Sequence, residues 1–158
     1  MALKSRVVLA SVVVLFIASF AAAQSNPLVG TWVLNTAKSK YSPGPAPKSA
    51  TTTIAAEGAA FKFSVHQEPA TGPAQDWSFT TNLDGKPSKI TGNNPQADTT
   101  AYKRVNATTF DAIQSKGGKE TQSQRIVLSA DGKTRTVTTT GTDSAGKKIN
   151  NVAVYDKK

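Results

Sequence analysis

The chain is predicted to fold as one all-β domain, an up-and-down antiparallel β-barrel of 8–10 strands. Three observations carry that expectation: a regular beat of turn dipeptides, alternating runs of β-branched and aromatic residues between them, and no helical period. Glu57-Gly58, Asp84-Gly85, Asn106-Ala107, Gly117-Gly118, Asp131-Gly132 and Ala145-Gly146 each separate stretches rich in Thr, Val, Ile, Phe and Tyr, the pattern of hairpin connections. From residue 106 onward the turns fall 11, 14 and 14 residues apart. That spacing leaves strands of about 8 to 11 residues, the length an up-and-down meander uses. Beyond residue 23 no window holds apolar residues at i, i+3, i+4 and i+7 over three turns, so no long helix is expected.

Strands are expected near 29–36, 50–56, 60–67, 76–83, 86–91, 98–105, 108–115, 119–129, 133–142 and 147–156. Hairpin-linked strands in that number leave two edges exposed unless the sheet closes on itself, and closure removes both. Looser connections are expected at 69–74 and 92–97, where the remaining prolines and asparagines fall. In the run 61-FKFSV-65, Phe61, Phe63 and Val65 share one face, as do Trp77 and Phe79 in the next strand; these two aromatic faces are expected to meet inside. The run 133-KTRTVTTTGT-142 puts Thr134, Thr136, Thr138, Thr140 and Thr142 on one face and Arg135, Val137, Thr139 and Gly141 on the other. Threonines turned inward would make a wet lumen; threonine is also a good residue for a strand's outer surface. The alternation leaves both options open.

Residues 1–23 read as a cleaved secretory signal peptide. Lys4 and Arg6 form a positive start, Val7 to Phe20 an apolar run, and Ala21-Ala22-Ala23 a small-residue cleavage site. The domain is then 24–158, one barrel of ordinary single-domain size. Without cysteine the exported chain has neither a disulfide nor a lipid-anchored cysteine, and no membrane attachment is expected after cleavage. Past residue 23, seventeen basic residues face ten acidic ones, a net charge of +7. Most lysines stand singly beside turns, which favours solubility over nucleic-acid binding, and nucleic acid is not an expected partner.

The sequence holds little for catalysis or metal binding. His66 is the one histidine, at a strand end beside Gln67 and Glu68, and alone it cannot assemble a zinc set. The functional alternative is a weak acid/base pair of His66 with Glu68. The Asp-Gly pairs are turn chemistry, since calcium loops need denser carboxylates. No catalytic residue, metal or cofactor is therefore expected.

Gly30-Thr31-Trp32, followed by Leu34, resembles the G-x-W signature of the calycin superfamily, the lipocalins and fatty-acid-binding proteins. The resemblance implies that Trp32 closes one end of the barrel and packs against a basic side chain from a late strand, as a guanidinium can on an indole face. Arg125 and Arg135 are the late-strand arginines, so one of them is the implied partner. The longer string GTWVLNTAKSKYSPGPAPKS, with NNVAVY near the C-terminus, is similar to small exported bacterial proteins with lipocalin-like domains. Two departures stand out. Fatty-acid-binding proteins carry a helical lid after the first strand, whereas Pro43, Pro45 and Pro47 here favour an extended strap. Those proteins also hold a carboxylate with an Arg-x-Tyr pair in the last strand; Tyr155 matches the tyrosine, but Ala153 stands at the arginine position.

The resemblance implies an exported bacterial barrel. With no catalytic set among the residues, the expected function is that of a periplasmic or secreted, monomeric and non-catalytic protein that holds a small, largely apolar molecule in its lumen. Phe61, Phe63, Trp77, Phe79 and Tyr155 are the candidate lining, and Trp32 with Arg125 or Arg135 the structural closure. Tyr41, within the strap, is the aromatic expected to be exposed or to cap a mouth. The alternative from a different class is a basic interaction module that docks on anionic cell-envelope polymers and takes no lumen ligand.

Overall fold

A computed structural model describes residues 26–158. The expected signal peptide and its cleavage site lie outside the described residues. Eleven strands form one antiparallel sheet: β1 Gly30–Leu34, β2 Ser49–Glu57, β3 Ala60–Glu68, β4 Gln75–Thr81, β5 Asp84–Lys89, β6 Thr91–Gly92, β7 Thr99–Arg104, β8 Thr109–Lys116, β9 Lys119–Leu128, β10 Thr134–Thr142 and β11 Lys148–Lys157. Their order is β5-β7-β8-β9-β10-β11-β1-β2-β3-β4-β6. The first and last strands in the chain are therefore neighbours, with Trp32 opposite Lys157 and Leu34 opposite Tyr155, and the meander curls into a nearly closed barrel. Among the described residues, no helix is long and apolar enough to cross a membrane.

The seam lies between β4 and β5, which make no ladder with each other. One segment bridges it: residues 84–89 pair with β7, and after Ile90 the chain turns so that Thr91 and Gly92 pair with Ser78 and Trp77 of β4. Gly92 has φ +101°, and a Cβ there would collide with the Asp76 carbonyl and the Trp77 Cα. Only glycine suits that close backbone approach. The Asp84-Gly85 pair, expected as a hairpin tip, lies within β5 instead. Gly85, at φ +84°, sits in a β-bulge against Lys103. The reversal comes earlier, at Leu83, which takes φ +58°. The other five turn dipeptides connect sequential paired strands.

The barrel's base is closed by packing. Trp32 and Leu28 have no exposed surface, and Ile54, Phe110 and Ile126 are buried around them. The residues before β1 fold across this end. The Val29 N–H donates to the Asn26 carbonyl, the Trp32 indole Nε1 donates to the Leu28 carbonyl at 2.9 Å, and Lys157 Nζ donates to the Pro27 carbonyl at 2.9 Å. Each large apolar side chain so removed from water contributes about 1.5–3 kcal/mol, and the indole N–H is satisfied, so the plug leaves no buried donor to offset that gain.

The opposite end is spanned by the strap between β1 and β2. Asn35 caps a single 3-10 turn, Thr36–Lys38. The chain then runs beside the upper half of β11: Lys40 bridges Val152, and the Ser42 carbonyl accepts from the Asn150 N–H. Pro43 to Pro47 cross the mouth, where three prolines reduce the backbone N–H groups that need a partner. The Lys48 N–H donates to the Glu68 carbonyl at 2.8 Å, where β2 begins.

Candidate functional site

Between plug and strap lies a cavity of about 320 Å³. Its walls follow from the strand period of two. Along β9 the inward residues are Gln122, Gln124, Ile126 and Leu128; along β8 they are Gln114, Ala112 and Phe110; along β3 they are Phe63, Val65 and Gln67. Each inner face thus changes from apolar at the base to amide at the mouth. The threonine run of β10 settles in the same way: Arg135, Val137 and Thr139 are buried, while Thr134, Thr136 and Thr138 face outward. The wet end of the lumen therefore owes its polarity chiefly to glutamines, with Thr52 and Thr139 as minor contributors.

Four of the five candidate lining residues border the cavity, namely Phe63, Trp77, Phe79 and Tyr155. Phe61 does not. It lies one strand pair below Phe63, opposite Ala56 and Thr81 near the Gly58 turn, and packs against the core at the closed end. Two residues not among those candidates complete the aromatic wall. Tyr102 of β7 reaches across the seam and sits 5.0 Å from the Phe63 ring and 5.7 Å from the Phe79 ring, which are themselves stacked at 4.6 Å. Pairs of this kind add about 0.5–1.5 kcal/mol each beyond burial, so the three rings hold β4 and β7 together where no backbone ladder does. Tyr41 of the strap lines the top of the cavity; its placement as a mouth cap follows from the strap's path. Tyr102 shares inward parity with Thr100, a signal present in the sequence but weakened by the polar residues around it.

Arg135 forms the floor. Its guanidinium lies 5.6 Å from the Trp32 ring and 4.5 Å from the Tyr155 ring, and Nη2 donates to Thr52 Oγ1 at 3.1 Å. Tyr155 is its direct cross-strand neighbour. Arg135 is 4 % exposed, and its Nε has no hydrogen-bond partner among the described residues. No carboxylate pairs with it among those residues. Burial pulls its pKa down, and the nearby Tyr102 and Tyr155 oppose that pull; arginine nonetheless stays protonated at neutral pH. A buried charge with no counter-ion costs several kcal/mol. Stacking on two rings, at about 2 kcal/mol each when desolvated, offsets only part of it.

Arg125, the other arginine considered for barrel closure, lies on the outside. Its Nε and Nη2 donate to the two Asp111 carboxylate oxygens at 2.9 Å each. The reason is parity: Arg125 alternates with Gln124 and Ile126, which point inward. The second cation over Trp32 is Lys157 Nζ, 5.0 Å from the ring, and it comes from the strand paired with β1. Burial raises the pKa values of Tyr41, Tyr102 and Tyr155; these are the chain's three tyrosines, and all three line the cavity.

His66 is on the exterior of β3, away from the lumen. Its Nδ1 lies 2.7 Å from Asp76 Oδ1, and its Nε2 lies 4.0 Å from Glu68 Oε1. The Asp76 partner, supplied by the neighbouring strand, was not legible from the local His66-Gln67-Glu68 string. Among the described residues no group of three or more acidic, histidine or cysteine side chains is placed to hold a metal. No protein-family model matches the chain, and neither a known curated protein nor a solved structure is significantly similar to it.

Proposed function

We propose that this is a lipocalin-like, non-catalytic binding protein that holds a small molecule in the barrel lumen. One observation carries the reading. The cavity of about 320 Å³ is floored by Arg135, which lies over the Trp32 plug, and bordered above by the strap, whereas a barrel with no ligand to hold gains by filling such space with side chains. Its size is at the low end of small-molecule pockets. The apolar part of the ligand rests on Phe63, Phe79 and Trp77. The G-x-W start and the placement of Arg135 over Trp32 support membership of the calycin superfamily. The leader-like residues 1–23 support export to the periplasm or beyond.

The test is native mass spectrometry of protein purified from its own compartment. A bound small molecule is expected, and its removal should shift the Trp77 indole signal in NMR spectra while leaving that of Trp32 in place. A protein that is always recovered empty, with a Trp77 signal indifferent to every extract offered, would sink the reading. The basic exterior supports the rival, docking on anionic envelope polymers. That rival predicts salt-sensitive retention on anionic matrices with no movement of the Trp77 signal.

A further inference from the structure

We infer that the lumen selects a compact anion that carries a ring and further oxygen atoms, rather than an alkyl chain, with the oxyanion on Arg135. This rests on the lumen-binding reading and adds the class of ligand. Among the described residues bordering the cavity, Arg135 is the only cation and Asp143 the only anion. Asp143 stands at the mouth, where its carboxylate accepts from the Ala145 and Lys147 N–H groups at 2.9 and 2.8 Å. It neutralises nothing at the floor.

Among the described residues the guanidinium donates one hydrogen bond, to Thr52, out of the five N–H groups an arginine carries. The hydroxyls of Tyr41, Tyr102 and Tyr155, which also border the cavity, make no hydrogen bond to another described residue. A carboxylate or sulfonate entering here meets an unneutralised charge and unused donors together, the combination that makes charge-assisted hydrogen bonds strong.

The walls decide what the anion is attached to. Beside Arg135 stands the stack of Phe63, Phe79 and Tyr102, largely buried itself, and the half-buried Trp77 next to it offers a ring the more open surface. Toward the mouth stand Gln96, Gln114 and Gln124. An alkyl chain laid against these amides would strip them of water and return no hydrogen bond. Hydroxyl or carbonyl oxygens on a ring would pair with them. The arginine that fatty-acid-binding proteins place in the last strand is here Ala153, and the floor cation comes instead from β10.

The experiment titrates the full domain with three probes of similar size, following the two tryptophan indole signals by NMR. The probes are 4-hydroxybenzoate, its uncharged methyl ester, and decanoate. The hydroxybenzoate should bind at least about tenfold more tightly than either of the others, moving Trp77 and leaving Trp32 in place. Arg135→Lys should keep a weaker preference for acid over ester, and Arg135→Met should abolish it. If the Met variant does not fold, the comparison on the unmodified protein decides alone. An ester or decanoate that matches the hydroxybenzoate while moving Trp77 overturns the inference and leaves lumen binding standing. If none of the three probes moves Trp77, the inference falls, and native mass spectrometry alone decides the lumen-binding reading.

Discussion

The two ends of this barrel are built from the same strands by the same alternation, yet they carry opposite chemistry. At the base, inward positions hold Trp32, Ile54, Phe110, Ile126 and Leu128, all buried, with Leu28 folded over them. At the mouth, the inward positions of the same sheet hold Gln67, Gln114, Gln122 and Gln124 around open space. A side chain packed on all sides contributes its full transfer free energy; one beside water-filled space contributes little. Stability is therefore concentrated in the lower half, which frees the upper half for a ligand.

The largest expected effect follows directly. Trp32→Ala should cost about 3–5 kcal/mol, the range for emptying a buried aromatic site, because it removes the plug and the surface on which Arg135 and Lys157 rest. Trp77→Ala, at a half-buried position beside the cavity, should cost about 1 kcal/mol. Urea unfolding of both variants compares the two ends, and equal losses would mean that the mouth is packed as tightly as the base.

The seam sharpens the comparison further. Tyr102→Leu keeps the volume apolar but removes two aromatic contacts, and should cost about 2 kcal/mol. Hydrogen exchange should locate the damage. Amides of β4, β5 and β6 should lose protection while those of β9 and β10, joined by a continuous ladder, keep theirs. Uniform loss would mean that the rings do no more for the seam than for the rest of the wall.

Much of this was readable beforehand, for physical reasons that also mark where reading stopped. Turn dipeptides report local backbone need, so the meander and most of its strand boundaries were legible, as was the single all-β barrel. The expected strand 86–91 instead breaks at Ile90 into β5 and β6, which pair with different neighbours and bring the strands to eleven rather than 8–10. Asp84-Gly85 misled because a glycine at positive φ serves a bulge as well as a hairpin tip. Phe61 misled because alternation specifies a face and not a height along the barrel. The glutamine wall shares inward parity with Ile126 and Phe110, but polar residues in a strand ordinarily signal the solvent face, so a wet lumen hides them. Pairings between strands, Tyr102 across the seam and Asp76 of the neighbouring strand against His66, depend on register that no local string contains.

The tyrosines test the lumen by pH. All three have native pKa values raised above the ordinary value of 10.0, with burial the largest cause in each. A raised native value means that the unfolded chain releases phenolic protons first, so this contribution to stability is complete below about pH 10 and declines as pH climbs through the native values. Tyrosinate absorbance should therefore stay flat through pH 10 and appear together with loss of near-ultraviolet dichroism. A gradual rise centred near pH 10 in the folded protein would show at least one phenol open to water.

The smallest effect belongs to the outer wall. The Arg125 fork on Asp111 is well aligned but exposed, and exposed pairs contribute little once side-chain ordering and salt are counted. The hydrogen bond from Arg125 holds the Asp111 carboxyl below its ordinary value of 3.8. A lowered native value gives stability that is present above the unfolded pKa and lost as pH falls through the native one. Arg125→Ala should therefore be slightly less stable than the parent at pH 7 and low salt, and the gap should close both in 1 M salt and as pH falls through the native Asp111 value, which lies below the ordinary 3.8. Arg135→Lys should behave oppositely: its cost should persist in salt, because ring stacking and the Thr52 hydrogen bond hold the guanidinium without an ion pair for salt to screen. If both gaps vanish in salt, charge alone places Arg135, and the contrast between floor and outer wall fails.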